Sequence, residues 1–489
     1  MRQVNFKEIL LIFLILGSAY GYFFSQHDSN TNSRLALVKA IVEEKRFEID
    51  TYQNSTLDTI DKAYYNGHYY SDKAPGSSFL AVPIYYVMLR LGILLKLVIK
   101  ISAMELVLTL LVVSLPNAFL AICLYLFARD VETNSSRFAL LITLAVCLGT
   151  PLFFYSSTFY SHALIGFFLF AAFYLWFRMR QNGKINLWGA ALSGFLAGYA
   201  IITEYPAAII VAVLGMYILW VLWKEGRLLR AKALMALIGG ALPPLVLLAI
   251  YNYSVFGSAL AVAYMHENVD QFSNVMQVNM GFGLPNLQAL FDMTFHTTMG
   301  IFWQSPILLL AFPGWVRMWQ TKKFRAEAVF SFAAILIYFL IFSGYYWWWG
   351  GLAFTPRYVV VTLPFFIIPL AFLGRKFHKV FFALAIVSIA QMFVVTASAY
   401  NNPQNLYDLL INISTDHYYP MFENSTIYSV YLPNFLAGHL APNLGASLFH
   451  LHSYPSLIPF FAVEVILLGF LFRVSRRPSQ IENDLPHAA

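Results

Sequence analysis

The chain has 489 residues, of which 59% are hydrophobic and only 11% are charged. A soluble domain is about 45–50% apolar and about 25% charged, so this composition excludes a soluble enzyme, a disordered protein, a disulfide scaffold and a nucleic-acid-binding module. The net charge of +7 comes from Lys and Arg in short clusters between apolar runs, which is typical of the cytoplasmic loops of membrane proteins. The two cysteines, Cys123 and Cys147, lie inside apolar runs and predict no disulfide framework. We therefore expect a polytopic membrane protein.

The first apolar run, from Ile9 to Phe24, follows a basic flank at Arg2 and Lys7. It has no small-x-small cleavage site, so we expect a retained helix with a cytoplasmic N-terminus rather than a cleaved signal peptide. Charge-poor runs long enough for helices of about 20 residues recur along the chain. They predict an all-α fold with about twelve spans, near 8–24, 105–127, 138–156, 162–178, 186–203, 206–223, 233–252, 297–316, 328–346, 358–374, 380–398 and 455–472.

The apolar segment 78–100 does not fit this series. It is long enough to span, but Arg90, Lys96 and Lys100 interrupt it at about helical intervals. We expect an interfacial helix on the outer leaflet, with its cations at the level of the headgroups. Both termini are then cytoplasmic. The predicted outer loops are about 25–104, 253–296 and 399–454, and the functional groups should lie on that outer face.

The first outer loop concentrates ionisable and aromatic side chains in a charge-poor protein. Its candidate functional residues are Asp58, Asp61, Asp72, Lys62, Lys73 and Tyr70. A carboxylate can take a proton from an attacking hydroxyl, a lysine can hold a phosphate as a point charge, and a tyrosine can stack on a sugar face. The alternative is a solvated hydrophilic loop. The sequence Asp-Lys-Ala occurs twice, at 61–63 and 72–74, and the second copy runs into Pro-Gly beside a membrane helix, which favours a binding or catalytic site.

Further candidates stand at predicted outer helix ends: Arg34, His162, Glu204, Tyr205, Asn252, Trp348 and Arg357. Arg357 follows a Trp-rich Gly-Gly turn, and a guanidinium there can hold a phosphate bidentately; an arginine that reaches to lipid headgroups is the alternative. Glu204 lies between two apolar runs, so it needs a cation, a proton or a ligand. A lone His162 is more often a structural group than a catalytic one, and Asn252 lines a cavity or caps a helix.

Motifs for other chemistries do not occur. The sequence has no P-loop, no Rossmann glycine fingerprint, no His-Glu-x-x-His and no CxxC pair, so ATP drive, nicotinamide chemistry and structural zinc are not predicted. No metal-ligand spacing stands out, and we predict no metal-binding residues. A divalent ion, Mg²⁺ or Mn²⁺, bound by the loop acids is one candidate cofactor.

Several short motifs resemble those of a bacterial branch of the GT-C superfamily of integral membrane glycosyltransferases. They are Asn-x-x-Ser-Arg at 30–34, Tyr-Ser-Asp-Lys-Ala-Pro-Gly at 70–76, Glu-Tyr-Pro at 204–206, Tyr-Asn…Phe-Gly at 251–257 and Trp-x-Gly-Gly…Pro-Arg-Tyr at 348–358. The order of segments is also similar, with one span, a long outer loop carrying two juxtamembrane helices, and then six spans. The resemblance implies a seven-span module over about 1–252 and a variable module over 253–489.

The resemblance also implies a function. Members of this superfamily transfer a sugar from a polyprenyl-phosphate or polyprenyl-diphosphate carrier on the outer face of the membrane. We therefore expect a transferase in the bacterial inner membrane that acts on a glycan, lipid or protein hydroxyl with inversion. The expected base is Asp72, Asp61 or Asp58, and the expected phosphate ligands are Arg357, Lys73 and Lys62. The remaining candidates, Tyr70, His162, Glu204, Tyr205, Arg34, Asn252 and Trp348, are expected to bind substrate.

Two positions depart from the superfamily pattern. The usual acid after the first span falls near Asn32, with Asp28 out of step, and the acid of the second outer turn is replaced by His162. These departures leave three rival hypotheses open. They are a lipid or sugar transporter, a polysaccharide polymerase or ligase that uses diphosphate-linked donors, and a non-catalytic membrane scaffold.

Overall fold

A computed structural model describes residues 5–24, 28–131, 135–267, 276, 279–351, 354–398 and 425–475. The described part is helical apart from one two-stranded hairpin. Seven helices are long and apolar enough to cross a membrane: Gly76–Leu95, Ile101–Asp130, Ser161–Asn182, Arg227–Phe256, Arg325–Ser343, Arg375–Ala397 and Tyr454–Val474. The predicted all-α, multi-pass membrane fold is confirmed, while the number of twelve spans stays a prediction.

The first half of the chain contains eleven helices and both strands among the described residues. They are α1 (Phe6–Tyr22), α2 (Ser29–Lys39), β1 (Lys62–Tyr65), β2 (His68–Ser71), α3 (Gly76–Leu95), α4 (Ile101–Thr109), α5 (Leu115–Asp130), α6 (Ser136–Leu148), α7 (Leu152–Tyr155), α8 (Ser161–Asn182), α9 (Leu187–Thr203), α10 (Ala207–Leu222) and α11 (Arg227–Phe256). A π-helical turn, Leu110–Ser114, joins α4 to α5 without a break. A second π-helical turn, Ala40–Glu44, extends α2.

The second half has shorter helices among its described residues. They are α12 (Leu287–Thr294), α13 (Ile301–Gln304), α14 (Ala311–Gln320), α15 (Arg325–Ser343), α16 (Ile367–Leu370), α17 (His378–Ala397), α18 (Leu432–Leu436), α19 (Leu444–Phe449) and α20 (Ile458–Val474). Residues 399–424, which are part of the predicted outer loop 399–454, lie outside the described residues. The C-terminal basic residues Arg476 and Arg477 also lie outside them.

Three predicted spans are not continuous α-helices. The span expected at 138–156 is divided into α6 and α7. The span expected at 297–316 is divided into α13, a 3-10 turn at Pro306–Leu310, and α14. The span expected at 358–374 begins as a 3-10 helix, Arg357–Phe366, before α16. Proline lacks the N–H that an α-helix requires, and prolines stand at 306, 364 and 369. Residues 359–366 are almost completely buried, so this irregular backbone lies inside the protein, where a membrane fold tolerates it.

The two ends of the helix bundle differ in charge. At one end Arg178 pairs with Asp130 at 2.8 Å and Arg180 pairs with Glu327 at 2.8 Å. We call this the basic end, because its arginines belong to the clusters predicted to face the cytoplasm. The other end, at which α8 starts with Ser161, is called the site end.

Both ends of helix α3 lie at the site end of the bundle, beyond the last residue of α1. A Cβ on Gly21, next to the last residue of α1, would lie 2.8 Å from Leu110. A helix rises about 1.5 Å per residue, so Ile101 begins α4 about 13 Å beyond the level of Leu110. Since α3 leads directly into α4, the chain between α1 and α4 stays at that end. This arrangement supports an interfacial helix over 78–100, although its length and apolarity also suit a span.

The hairpin β1–β2 brings the two Asp-Lys-Ala copies together. Its turn, Asn66-Gly67, has positive φ at both residues (50° and 89°), the geometry that matches the twist of a tight hairpin. The register pairs Lys62 with Ser71, so the next positions outward are Asp61 and Asp72. Ala63 forms an isolated bridge with Glu267. This bridge attaches the predicted outer loop 253–296, called the medium outer loop below, to the hairpin.

Candidate active site

A buried ion pair at the site end joins two of the sequence motifs, and Arg34 reaches a third through the Ala74 carbonyl at 3.4 Å. Arg34 has 0% exposure, and its Nη2 lies 2.7 Å from Glu204 Oε1. The same guanidinium donates to Ser77 Oγ at 2.8 Å, to Ser161 Oγ at 3.1 Å and to Asn30 Oδ1 at 3.1 Å. Arg34 therefore fastens the first outer loop to the ends of α8 and α9, and its donors are shared among protein groups.

The Glu204 carboxylate is equally well satisfied. It accepts hydrogen bonds from Ser161 Oγ at 2.5 Å and from the Tyr264 hydroxyl at 3.1 Å, besides its contact with Arg34. Burial alone would raise the pKa of this carboxyl, but the charges of Arg34 and His162 and the hydrogen bonds from Ser161 and Arg34 together outweigh burial and lower the pKa to about 2. The partner that this apolar position required is thus a protein cation.

Gly76, in the Pro-Gly of the motif at 70–76, lets the start of α3 pack closely against the end of α9. A Cβ on Gly76 would lie 2.5 Å from Oγ1 of Thr203 and 2.7 Å from its backbone nitrogen. A larger residue would therefore separate α3 from the end of α9. The Tyr199 hydroxyl also donates to the Gly76 carbonyl at 3.1 Å, which holds the two segments together.

A second charged cluster lies where the hairpin opens. Lys73 Nζ is 2.5 Å from Asp72 Oδ2 and 2.9 Å from Asp61 Oδ2. Burial alone would lower the pKa of Lys73, but the two carboxylates outweigh it and raise the pKa above its ordinary value. Lys73 is therefore a bridging ammonium whose charge is already balanced by protein carboxylates.

The two bridged carboxylates have different surroundings. Asp72 is 1% exposed and accepts a hydrogen bond from Ser33 Oγ at 3.1 Å. Its carboxyl also hydrogen-bonds that of Glu267. Burial and the charge of Asp72 raise the pKa of Glu267 well above its ordinary value, so Glu267 carries the proton that this contact needs. Asp72 is enclosed by protein donors and holds Lys73 in place.

Asp61 is the more accessible and more strongly ionised carboxylate. Its side chain is 20% exposed, against 2% for that of Asp72. Burial alone would raise the pKa of Asp61, but the charges of Lys73 and Arg357 outweigh burial and lower it. Asp61 thus presents a charged oxygen between two cations.

Arg357 provides the second of these cations. Gly350 has a φ of 82°, and a Cβ there would lie 2.9 Å from Arg357 Cγ, so the Gly-Gly turn leaves room for the arginine stem. The guanidinium carbon lies 5.7 Å from the centre of the Tyr160 ring and 5.6 Å from that of Tyr358. Its Nε is buried and has no hydrogen-bond partner in the described part of the chain. Within the described residues Arg357 makes no ion pair, and such a buried donor calls for an acceptor from a ligand.

An aromatic wall stands beside Arg357. The Tyr160 hydroxyl donates to Asp28 Oδ2, whose other oxygen accepts from the Thr31 backbone N–H at 2.7 Å and caps α2. His162, in the first turn of α8, is 5% exposed. Its ring meets those of Tyr160 and Tyr358 edge-on, at 6.1 and 5.8 Å. Asp28 is therefore engaged as a cap and as a tyrosine acceptor.

Two predicted residues, the exposed Asp58 and the partly buried Lys62, form a separate pair at the rim of the hairpin. Asp58 pairs with Lys62 at 3.5 Å, and the Asp58 side chain is 42% exposed. Lys62 also lies over the Tyr69 ring at 4.9 Å and contacts Gln53. Both side chains belong to the outer surface of the hairpin, apart from the Lys73 cluster.

Four other candidates occupy packing positions around the site. Tyr70 is 5% exposed and packs its ring 5.9 Å from that of Phe256. Tyr205 packs edge-on against Tyr264 at 5.8 Å. Asn252 bonds the carbonyl of Ala259 at 3.4 Å and stabilises the turn after α11. Trp348 is buried in the tryptophan turn, against the ring of Trp349 at 5.8 Å.

Sequence reasoning did not identify Glu267 and Tyr264 as site residues. Both lie in the medium outer loop, far along the chain from the groups that they contact. The one available signal was that Glu267 is an ionisable residue in a charge-poor loop. Among the described residues, no three His, Cys, Asp or Glu side chains are grouped to hold a metal ion, and Lys73 Nζ occupies the space between Asp61 and Asp72. Dependence on Mg²⁺ or Mn²⁺ stays a question for experiment.

No family model matches this chain, and no curated protein matches its sequence. Solved structures do match. ArnT from Cupriavidus metallidurans, bound to undecaprenyl phosphate, has a TM-score of 0.47 and 15% identity, and the match covers 95% of this chain and 74% of that one. The oligosaccharyltransferase of Archaeoglobus fulgidus in its apo form has a TM-score of 0.45 and 12% identity, covering 82% of this chain and 59% of that one.

The arabinosyltransferase EmbB from Mycobacterium smegmatis also matches, with a TM-score of 0.45 and 14% identity. That match covers 98% of this chain and 38% of EmbB. The chain is thus similar to solved membrane proteins of the kind that its motifs resemble. Because these TM-scores lie below 0.5, the assignment of function rests on the residues of this chain.

Proposed function

We propose that this protein is a membrane glycosyltransferase that moves a sugar from a polyprenyl-phosphate carrier to an acceptor hydroxyl. The observation that carries the proposal is the position of Asp61. The Asp61 carboxylate is accessible and ionised. It lies between the Lys73 ammonium, whose charge is balanced by carboxylates, and the Arg357 guanidinium, which has no partner among the described residues. A base beside an anion-binding group is the arrangement that a sugar transfer with a phosphate leaving group requires.

The balance of charges favours a donor with one phosphate. The outer segments 253–296 and 399–454 contain no Lys or Arg. The candidate cations are therefore Arg34, Lys62, Lys73 and Arg357. Three of them are paired: Arg34 with Glu204, Lys62 with Asp58, and Lys73 with both aspartates. Arg357 alone can balance a phosphodiester, which carries a single charge, whereas a diphosphate ester carries two.

In the proposed reaction Asp61 accepts the proton of the acceptor hydroxyl. The acceptor oxygen then forms a bond to the anomeric carbon as the bond from that carbon to the phosphate oxygen breaks, and the configuration inverts. The electron pair of the broken bond stays on the polyprenyl phosphate, whose growing charge Arg357 stabilises. Asp72 and Glu267 act as positioning residues, because they hold Lys73 and thereby Asp61.

We further propose that the site faces the outer side of the bacterial inner membrane. The opposite end of the bundle carries Arg178 and Arg180, and clusters of this kind stay in the cytoplasm. The polyprenyl chain would lie in the bilayer beside the apolar helices, with its phosphate at the site end. The acceptor is a glycan, lipid or protein hydroxyl.

The rival functions predict different reactions. A transporter or flippase returns its substrate unchanged. A polymerase or ligase releases a polyprenyl diphosphate, and a scaffold releases nothing. The absence of a second unpaired cation near Arg357 in the described residues speaks against a diphosphate leaving group.

The test is an incubation of purified protein in nanodiscs with a panel of polyprenyl-phosphate sugars. Mass spectrometry would measure free polyprenyl phosphate and the new glycoside. We expect release by the wild type and loss of release in Asp61→Asn and Arg357→Gln. Asp58→Asn is the matched control for Asp61→Asn, since it changes the same residue type in the same loop. Lys62→Gln is the control for Arg357→Gln, since it removes a cation that is already paired with Asp58. Failure of the well-folded wild type with every donor, or equal loss in the controls, would contradict the proposal.

A further inference from the structure

We propose that the basic end holds a second binding site, for the phosphate headgroup of an anionic phospholipid. A cavity of about 690 Å³ opens there between the last turn of α14 and the segment that leads into α17. Its lining combines three cations with an apolar floor: Arg317, Arg375 and Lys376 over Pro313, Val316 and Phe377. No acidic residue lines it. The site is separate from the Asp61 site, because it lies at the opposite end of the bundle.

Neighbouring contacts establish this location. Arg180, at the end of α8, reaches the Lys323 carbonyl at 2.6 Å, just past the last residue of α14. The Phe138 ring, in the first turn of α6, stacks on His378 at 3.9 Å. Both segments that line the cavity therefore adjoin helix ends at the basic end of the bundle.

Among the described residues, the cations of this cavity lack carboxylate partners. Between 297 and 398 the sequence contains eight Lys and Arg residues and a single acid, Glu327. Glu327 is fully buried and already accepts from Arg180 at 2.8 Å and from Tyr217 at 2.8 Å. In the described part of the chain Arg317, Arg375 and Lys376 form no ion pair.

Two other cations at the same end, Arg178 and Arg180, are neutralised. Arg178 pairs with Asp130 at 2.8 Å, and Arg180 with Glu327. Positive charge as such is expected on a cytoplasmic face. The distinguishing property of the cavity is that three cations line one concavity and none of them has a counter-ion among the described residues. A bound anion would supply that counter-charge.

The geometry of Arg317 keeps its guanidinium inside the cavity. A Cβ on Gly374 would lie 2.8 Å from Arg317 Nη1. The glycine therefore leaves room for the guanidinium beside the start of the 3-10 turn Arg375–Phe377. This contact brings the charge of α14 next to the two cations of the following segment.

The neighbouring surface favours a lipid over a soluble anion. Phe312, Val316 and Trp319 are 45%, 59% and 53% exposed on α14, as expected of side chains that face acyl chains. A headgroup in the cavity would place its tails along this apolar face. Basic pockets between membrane helices on the cytoplasmic side bind anionic headgroups in this way.

Lipid titration of the full-length protein tests the proposal. Delipidated protein in detergent is titrated with phosphatidylglycerol or phosphatidylcholine, and native mass spectrometry counts the bound lipids. The test variant is Arg317→Gln with Arg375→Gln and Lys376→Gln. The control is Lys224→Gln with Arg227→Gln and Lys232→Gln, three exposed cations of another cluster at the same end. Thermal stability without lipid verifies that both variants fold.

We expect the wild type to bind phosphatidylglycerol in preference to phosphatidylcholine. The test variant should lose at least about tenfold in affinity, since it removes all three cations that line the cavity, and the control should bind as the wild type does. If the test variant misfolds, Arg317→Gln alone should still weaken binding more than Arg227→Gln alone. Equal weakening in test and control, no headgroup preference, or full competition by millimolar inorganic phosphate would overturn the assignment to a lipid.

Discussion

Two arginines at the same end of the bundle sit near carboxylates, yet they differ in how many of their donors are used. Arg34 is saturated, with bonds to Glu204, Ser161, Ser77 and Asn30. Arg357 has a buried Nε without a partner and lies beside aromatic faces near Asp61. The difference indicates that one arginine holds the fold together while the other is available to a ligand.

The same contrast separates the carboxylates. Glu204 and Asp72 are closed in by protein donors, whereas Asp61 keeps an exposed edge beside Arg357. Burial of charge by itself is therefore a poor guide to catalysis in this protein. Spare hydrogen-bonding capacity next to a paired charge is the better guide, and it can be tested by substitution.

The largest effect should follow from Asp61→Asn. Removal of a general base lowers the rate by about 10²–10⁴-fold, while the amide keeps the size of the side chain. The initial rate of polyprenyl-phosphate release measures this loss. Asp58→Asn, at the rim, should retain at least half of the wild-type rate. An Asp61→Asn protein with full activity would remove Asp61 from the role of base.

Glu204→Gln should act on stability. It leaves the Arg34 charge buried without a counter-charge, and breaking a buried pair in this way costs about 3–5 kcal/mol. Chemical unfolding in detergent measures the free energy of unfolding. The control is Glu43→Gln, which breaks a partly exposed pair with Lys39 and should cost less than about 1 kcal/mol. Equal stability of the two variants would contradict the structural role assigned to Glu204.

Arg357→Gln should lower activity by about 10²–10³-fold, as does the loss of one group that stabilises transition-state charge. Since Arg357 has no protein counter-charge bonded to it, the melting temperature should stay near that of the wild type. Release assays and thermal melts on the same preparation separate these two effects. A collapse of the fold with the loss of activity would show that Arg357 is structural, like Arg34.

The smallest effect concerns Glu267, whose raised pKa keeps it protonated in the fold. The folded protein then binds one more proton than the unfolded chain, so stability declines as the pH rises from the ordinary value of 4.5 through the raised value. Glu267→Gln keeps a hydrogen-bond donor to Asp72 but cannot ionise. As the pH rises across this range, the melting temperature of the wild type should therefore fall relative to that of the variant. A constant difference would contradict the shared proton.

Much of the site was predictable from short motifs. Arg34, Asp61, Asp72, Lys73, Glu204 and Arg357 were all candidates from the sequence, because charged residues are rare in it and their positions at helix ends were clear. Their division into roles was not predictable. The hairpin register sets Asp61 opposite Asp72 and places Lys73 between them, and pairing across so many residues leaves no local sequence signal.

Other features could not be predicted from the sequence for a similar reason. Glu267 reaches Asp72 only because the medium outer loop bridges to Ala63. The spans expected at 297–316 and 358–374 read as apolar runs, and hydropathy alone does not show that prolines divide them. The number of spans and the division into two modules stay predictions.

The central claim is that the unpartnered guanidinium of Arg357 binds the phosphate of the lipid carrier. The most direct test is the affinity of purified protein for polyprenyl phosphate, measured by native mass spectrometry for the wild type, Arg357→Gln and Lys62→Gln. A hydrogen bond to a charged group contributes about 1.5–3 kcal/mol, so Arg357→Gln should bind at least about tenfold more weakly, while Lys62→Gln should bind as the wild type does. Undiminished binding to folded Arg357→Gln protein would contradict the account.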